Sequence, residues 1–118
     1  MLFVCYPKCT TCQKARKWLE EQGAAFTVRD IKAENPTAQE LATWRQASGL
    51  PLKRFFNTSG LQYKALGLKD RLPGMSEADQ LALLATDGML VKRPLLICDD
   101  GAVLVGFKPE EWQRRLGG

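Results

Sequence analysis

Apolar positions recur at two different periods along this chain, and the places where the period changes outline its elements. The run Leu2 to Tyr6 (LFVCY) is short, apolar and β-prone, and Ala24 to Ile31 (AAFTVRDI) alternates, with Phe26, Val28 and Asp30 set against Thr27, Arg29 and Ile31. Both predict strands. Between them Ala15, Trp18, Leu19 and Gln22 follow the i, i+3, i+4, i+7 spacing of one helix face, and Gly23 suits the end of that helix. Strand, helix and strand in this order imply a parallel β-α-β unit, because the helix carries the chain back to the same end of the sheet.

The pattern then changes. In NPTAQELATWRQASGLP, Pro36 precedes a helix start, Thr37 and Glu40 have capping-box spacing, and Leu41 and Trp44 are placed to face inward. FFNTSG reads as a helix end followed by a turn around Asn57 to Gly60, and MSEADQLALLATDG as a further helix begun by Ser76 and closed near Gly88. Residues of roughly 36 to 89 are thus expected to be helical throughout. Leu95 to Cys98 and Ala102 to Gly106 are two β-prone runs joined by Asp-Asp-Gly, a hairpin signal. Pro109 opens a last helix, PEEWQRRL, acidic early and basic late as the helix dipole favours, with Trp112 and Leu116 one turn apart. The predicted order is β-α-β, helices, β-β-α, an α/β chain. Trp18, Trp44 and Trp112 all sit at helical spacing with other apolar residues, which marks them for the core.

With 118 residues, 45% of them hydrophobic and 25% charged, the chain is expected to form one domain over 1–118 that buries a core without staples. No run of about 18 apolar residues occurs, and MLFVCYP lacks the charged start and long apolar stretch of a signal peptide. A soluble, cytoplasmic monomer is expected, with no membrane contact. Seventeen basic against thirteen acidic residues give +4, spread through KARK, LKRFF, KDR, VKR and QRR, which argues against direct nucleic acid binding. Histidine is absent, and this removes Ser-His-Asp and Cys-His catalysis and every His-containing zinc site.

The four cysteines carry the candidate chemistry. Cys9 falls just after the first strand and Cys12 in the first turn of the following helix. Unpaired backbone N–H groups and the positive end of the helix dipole at that point favour thiolate over thiol. Lys8, Lys14 and Arg16 are near in sequence and no acid occurs before Glu20, so local charge acts in the same direction. Cys12 lies within reach to attack an oxidised or mixed-disulfide Cys9. Two other readings stay open: an inert apolar pair, or a zinc site that recruits Cys5 and Cys98 from separate strands. Cys5 and Cys98 read as core residues, and Asn57, Thr58 and Ser59 as turn formers.

The element order, with Pro94 at the start of a presumed strand in VKRPLL, resembles the thioredoxin fold, in which a cis-proline at this point lies against the active cysteines. The Arg93–Pro94 bond is accordingly expected to be cis. Over nearly the whole chain, YPKCTTCQKARKWLEEQG, FFNTSGLQYKALGLKD, MLVKRPLLI and VGFKPEEW resemble the ArsC/Spx group of thioredoxin-fold proteins, the first motif being closer to the Spx-like branch. The resemblance implies a thioredoxin core at about 1–35 and 90–118, with a helical insertion at about 36–89 between the second and third strands.

In the arsenate reductases of this group one cysteine attacks arsenate, three arginines hold the oxyanion, and glutathione and glutaredoxin complete the reduction. Cys9 matches the nucleophile and Arg93 the arginine before the proline, whereas Asn57 and Lys108 stand where the other two arginines would be. Amide and ammonium groups do not reproduce the planar grip of guanidinium on a tetrahedral oxyanion. Those reductases have no second cysteine in the motif. Cys12 gives this chain a pair like the redox switch of Spx, a regulator that binds the RNA polymerase alpha subunit, although the chain given lacks the polar, basic extension that follows the last helix of Spx. Gly49 lies near the Spx polymerase-contact glycine.

The resemblance thus implies a thiol-disulfide oxidoreductase with Cys9 as nucleophile, Cys12 as resolving thiol and Arg93 as stabiliser of the thiolate or a bound anion. Lys8, Asn57 and Lys108 are weaker anion-binding candidates. The resemblance also implies no bound cofactor and an external thiol, glutathione, glutaredoxin or thioredoxin, as reductant. The alternative is a redox-sensing regulator of RNA polymerase.

Overall fold

The structure, a computed structural model, describes residues 1–116. Strand β1 (Leu2–Cys5) runs into helix α1 (Thr10–Glu21), which returns the chain to β2 (Thr27–Asp30). Helices α2 (Ala38–Ser48), α3 (Leu61–Ala65), α4 (Leu68–Arg71) and α5 (Glu77–Leu84) follow, then β3 (Leu95–Ile97), β4 (Val103–Val105) and α6 (Pro109–Leu116). The sheet order is β2-β1-β3-β4, with β1 and β2 parallel and the other two pairings antiparallel.

Side-chain alternation splits the core between the two faces of this sheet. Phe3, Cys5, Leu96, Cys98 and Leu104 point to one face, where α1 contributes Cys12, Ala15 and Leu19 and α6 contributes Trp112. Val4, Leu95, Val103 and Val105 point to the other, against Leu41, Trp44, Phe55, Leu68, Leu84 and Leu90 of the segment between β2 and β3. Leu19 and Leu41 are fully buried, each stabilising the fold by about 1.5–3 kcal/mol relative to an exposed side chain. Trp112 is the centre of the first face: its ring meets Phe3, Trp18 and Phe107 edge-on, and its indole N–H donates to the Gly106 carbonyl at 3.0 Å. Trp44 is buried as the spacing predicts; Trp18 is only half-buried, packed on the rim of the same cluster.

Thr37 and Glu40 form the predicted capping box, with the Thr37 side chain accepting from the Glu40 N–H and the Glu40 carboxylate accepting from the Thr37 N–H, both at 3.0 Å. The Glu40 carboxylate also takes a two-pronged ion pair from Arg29 of β2, at 2.6 and 2.9 Å, which ties the edge strand to the helix on its flank. Ser76 caps α5. The hairpin turn falls at Asp99-Asp100-Gly101, where Gly101 takes φ +92°, a value that L side chains rarely adopt.

Three expectations are corrected. The second strand is shorter than the alternating run: only Thr27–Asp30 pair with β1, and as an edge strand β2 leaves Thr27 and Val28 exposed. The segment 36–89 is not helical throughout. It breaks at Gly49–Pro51, at Phe56–Gly60 and at Met75–Ser76, and three of its pieces, Leu52–Phe55, Leu72–Gly74 and Gly88–Leu90, are single 3-10 turns. Phe56 there makes an isolated antiparallel bridge to Val91, so the residue before Asn57 is tied to the strand-like approach to Arg93. Helix α5 stops at Leu84 rather than near Gly88.

Candidate active site

The turn after β1 sets the position of Cys9. Its N–H donates to the Tyr6 carbonyl at 2.9 Å, and the Gln13 side chain holds the Pro7 carbonyl at 2.9 Å. The backbone of Cys9 is extended (φ −82°, ψ 123°), and its carbonyl accepts the first bond of α1 from the Gln13 N–H at 3.0 Å, which makes Cys9 the N-cap residue. Its thiol is half-exposed. Cys12, one turn on, faces inward at 2% exposure, and its sulfur accepts from the Tyr6 N–H at 3.4 Å.

Arg93 approaches from the start of β3. Its guanidinium donates to the Met89 carbonyl at 3.2 Å and lies over the Tyr6 ring at 5.3 Å, so a hydrogen bond and a cation–π contact orient the group. The Arg93–Pro94 peptide is cis, Pro94 is buried, and its carbonyl accepts from the Gly106 N–H at 2.8 Å.

These placements push the two thiols in opposite directions. Partial burial opposes ionisation of Cys9, but the Cys12 N–H and thiol, the Thr11 N–H and the Arg93 guanidinium outweigh it, and the pKa is lowered. The Cys9 side chain makes no capping hydrogen bond as the thiol, and hydrogen bonds to a sulfur strengthen when it carries a charge. Cys12 is pushed up to about 12, first by burial and then by the neighbouring Cys9 charge, against the Tyr6 N–H, which favours its anion. Cys5 and Cys98 are buried and raised chiefly by burial.

A cavity of about 650 Å³ opens onto Cys9. Arg93, Asn57 and Lys108 line it together with Cys9, so four of the sequence-derived candidates meet at one opening. Cys12 lies behind Cys9 in the core, and exposed Lys8 is absent from the lining. Arg54, Lys92 and Thr11 also line the cavity and were not singled out in the sequence. The sequence signal for the first two was the basic pairs in LKRFF and VKR, which look like surface charge until the 3-10 turn of Arg54 is placed across from β3. Among the described residues no group of three or more Cys, Asp or Glu is placed to hold a metal ion.

The comparisons with known proteins bear on family and fold. The ArsC family profile matches residues 5–115. The uncharacterized protein YusI of Bacillus subtilis is 50% identical over 96% of this chain and 95% of its own length, and the global transcriptional regulator Spx of Enterococcus faecalis is 32% identical over 93% and 81%. Among solved structures, an ArsC-family-related protein of Bacteroides fragilis superposes with TM-score 0.92 at 57% identity, covering 96% of this chain and 94% of that one. A protein of Streptococcus mutans described as a possible arsenate reductase gives TM-score 0.85 at 43% identity, covering 95% and 96%. A four-stranded α/β sheet with the thioredoxin-like order, a thiol at the start of its first helix and a profile match over nearly the whole length lead to one conclusion: the chain belongs to the ArsC family.

Proposed function

We propose that this chain is a thiol-disulfide oxidoreductase that works through Cys9 and Cys12. The observation that carries the reading is the placement of a half-buried Cys9 at the start of α1, on a cavity it shares with Arg93, with Cys12 buried one turn behind it; the N–H groups and Arg93 favour the Cys9 anion, while burial disfavours that of Cys12. The Cys9 thiolate attacks one sulfur of a disulfide R–S–S–R; the Cys9–S–S–R bond forms, and the first R–S⁻ leaves and takes up a proton. Cys9 then carries no charge, so the repulsion that helped to keep Cys12 protonated disappears. Cys12 loses its proton to solvent and attacks the Cys9 sulfur, forming the internal disulfide and releasing the second R–S⁻. The substrate gains two electrons and the protein dithiol loses two. An external thiol, from glutathione, glutaredoxin or thioredoxin, restores the dithiol by the reverse exchange. Arg93 holds the thiolate, and Asn57 and Lys108 face the incoming molecule. Lys8 acts only through its charge, from outside the cavity.

Trapping tests the reading. Exposed to a glutathione-linked disulfide, the native protein should end as the internal Cys9–Cys12 disulfide. Cys12→Ser should stop at the mixed disulfide on Cys9, and Cys9→Ser should not react. Undiminished turnover in Cys9→Ser would sink the proposal. The likeness to Spx favours a second reading, in which the same disulfide controls docking on the RNA polymerase alpha subunit. Capture of the alpha C-terminal domain that depends on oxidation, without turnover of any disulfide, would favour it.

A further inference from the structure

The charge around Cys9 is one-sided. Arg54, Lys92, Arg93 and Lys108 line the cavity and no carboxylate does. None of the four forms an ion pair among the described residues, whereas Arg16, Arg29, Arg45 and Arg115 each do. The thirteen basic residues elsewhere are matched by thirteen acidic ones, so the net +4 of the chain equals the charge gathered at this opening. Unpaired cations cost stability through mutual repulsion, and a cleft lined by one sign concentrates its field on whatever enters.

Arg93 is committed to the Met89 carbonyl and the Tyr6 ring on the thiol side. The Arg54 side chain makes no hydrogen bond or ion pair among the described residues and is exposed at the cavity wall. It lies on the 3-10 turn Leu52–Phe55, fixed by the buried Leu52 and Phe55 and by the bond from the Lys92 N–H to the Phe55 carbonyl at 2.7 Å. A rigid base with a free guanidinium is the arrangement that recognises a carboxylate by two parallel hydrogen bonds. Asn57 and Ser59 offer neutral partners nearby, and Leu61, 86% exposed, supplies an apolar rim.

Resting on the oxidoreductase reading, we infer that the cavity selects small organic disulfides that carry carboxylates flanking the sulfur, and that Arg54 is the residue that reads the carboxylate. The exchange is the one written above: Cys9 bonds to one substrate sulfur, the carboxylate-bearing thiolate leaves, and the carboxylate of the attached half is held by Arg54 until Cys12 displaces it. A volume of about 650 Å³ suits a molecule of peptide size.

Three probe disulfides test this with the reduced full chain: dianionic 5,5′-dithiobis(2-nitrobenzoate), neutral 2,2′-dithiodipyridine and cationic cystamine, each rate normalised to that of a free small thiol. The normalised rate should be at least about tenfold higher for the anionic than for the cationic probe at low salt, and the gap should narrow as salt screens the field. Arg54→Gln should slow the anionic probe several-fold and leave the neutral one within about twofold, with Arg54→Lys in between. Equal loss with all three probes, or no loss with the anionic one, would overturn the role of Arg54. Fast reaction of Cys9 with all three probes and no charge preference would overturn the substrate class while leaving the oxidoreductase reading in place. Failure of Cys9 to react with any probe faster than the free thiol would remove both.

Discussion

Gly88 is a place where packing and the candidate site meet, and Gly88→Ala makes the link measurable. Gly88 is buried where the segment before β3 crosses the end of β2. A Cβ added there would sit 2.0 Å from the Ile31 carbonyl oxygen, 2.8 Å from its carbon and 3.0 Å from the Asn35 side chain. The first distance is more than an ångström short of ordinary van der Waals contact, and both Ile31 atoms are backbone, so no flexible side chain can yield. The 3-10 turn Gly88–Leu90 has to move instead. Overpacking of this kind costs about 1–3 kcal/mol. At about 4 °C per kcal/mol for a chain of this size, the melting temperature should fall by about 4–12 °C. The displaced turn also carries the Met89 carbonyl that holds Arg93 and the Leu90 carbonyl that accepts the Asn57 N–H at 2.7 Å. Loss of that anchor should weaken the hold of Arg93 on the thiolate and raise the Cys9 pKa. Thermal melts and the pH dependence of Cys9 alkylation read the two effects. A variant with unchanged melting temperature and unchanged alkylation profile would refute both the close approach and its connection to the site.

The Arg29–Glu40 pair makes a pH-dependent prediction. The Arg29 guanidinium holds the Glu40 carboxyl down at about 2, well below its ordinary range, so the pair stabilises the fold above the unfolded carboxylate pKa and the benefit is lost as pH falls toward 2. Arg29→Gln should therefore be less stable than the native chain near neutral pH, with the gap shrinking as pH falls through the acid range toward about 2 in urea melts; a constant gap across pH would contradict this. Trp112→Phe keeps an aromatic ring but removes part of the buried indole and leaves the Gly106 carbonyl without its donor, the latter alone a loss of about 1–3 kcal/mol, and a melting temperature within about 1 °C of native would count against the bond.

Short elements with a single strong period were legible in the sequence, as were the caps. LFVCY, the α1 face, the Thr37–Glu40 box, the Ser76 cap and the Asp-Asp-Gly turn all depend on neighbours within a few residues, and these interactions survive into the fold. The middle segment was legible only as helical in kind. Its breaks depend on tertiary bonds, such as the Phe56–Val91 bridge, that no local pattern encodes. The β2 run looked longer because Phe26 is apolar, yet it packs edge-on with Phe3 at 5.8 Å outside the ladder. Cys9, Asn57, Arg93 and Lys108 could be named as candidates, the last three with help from the family resemblance. Arg54 and Lys92 could not, because their place beside Cys9 depends on how the insertion folds back on the sheet.

The central claim is that Cys9 is held toward its anionic form by the start of α1 and by Arg93. The most direct test is the rate of iodoacetamide labelling of Cys9 against pH, with the modified residue identified by peptide mass spectrometry. The account expects a midpoint clearly below that of an ordinary cysteine thiol, about 8.5, moving upward in Arg93→Gln. A midpoint at or above about 8.5 in the native chain, unmoved by that substitution, would contradict it.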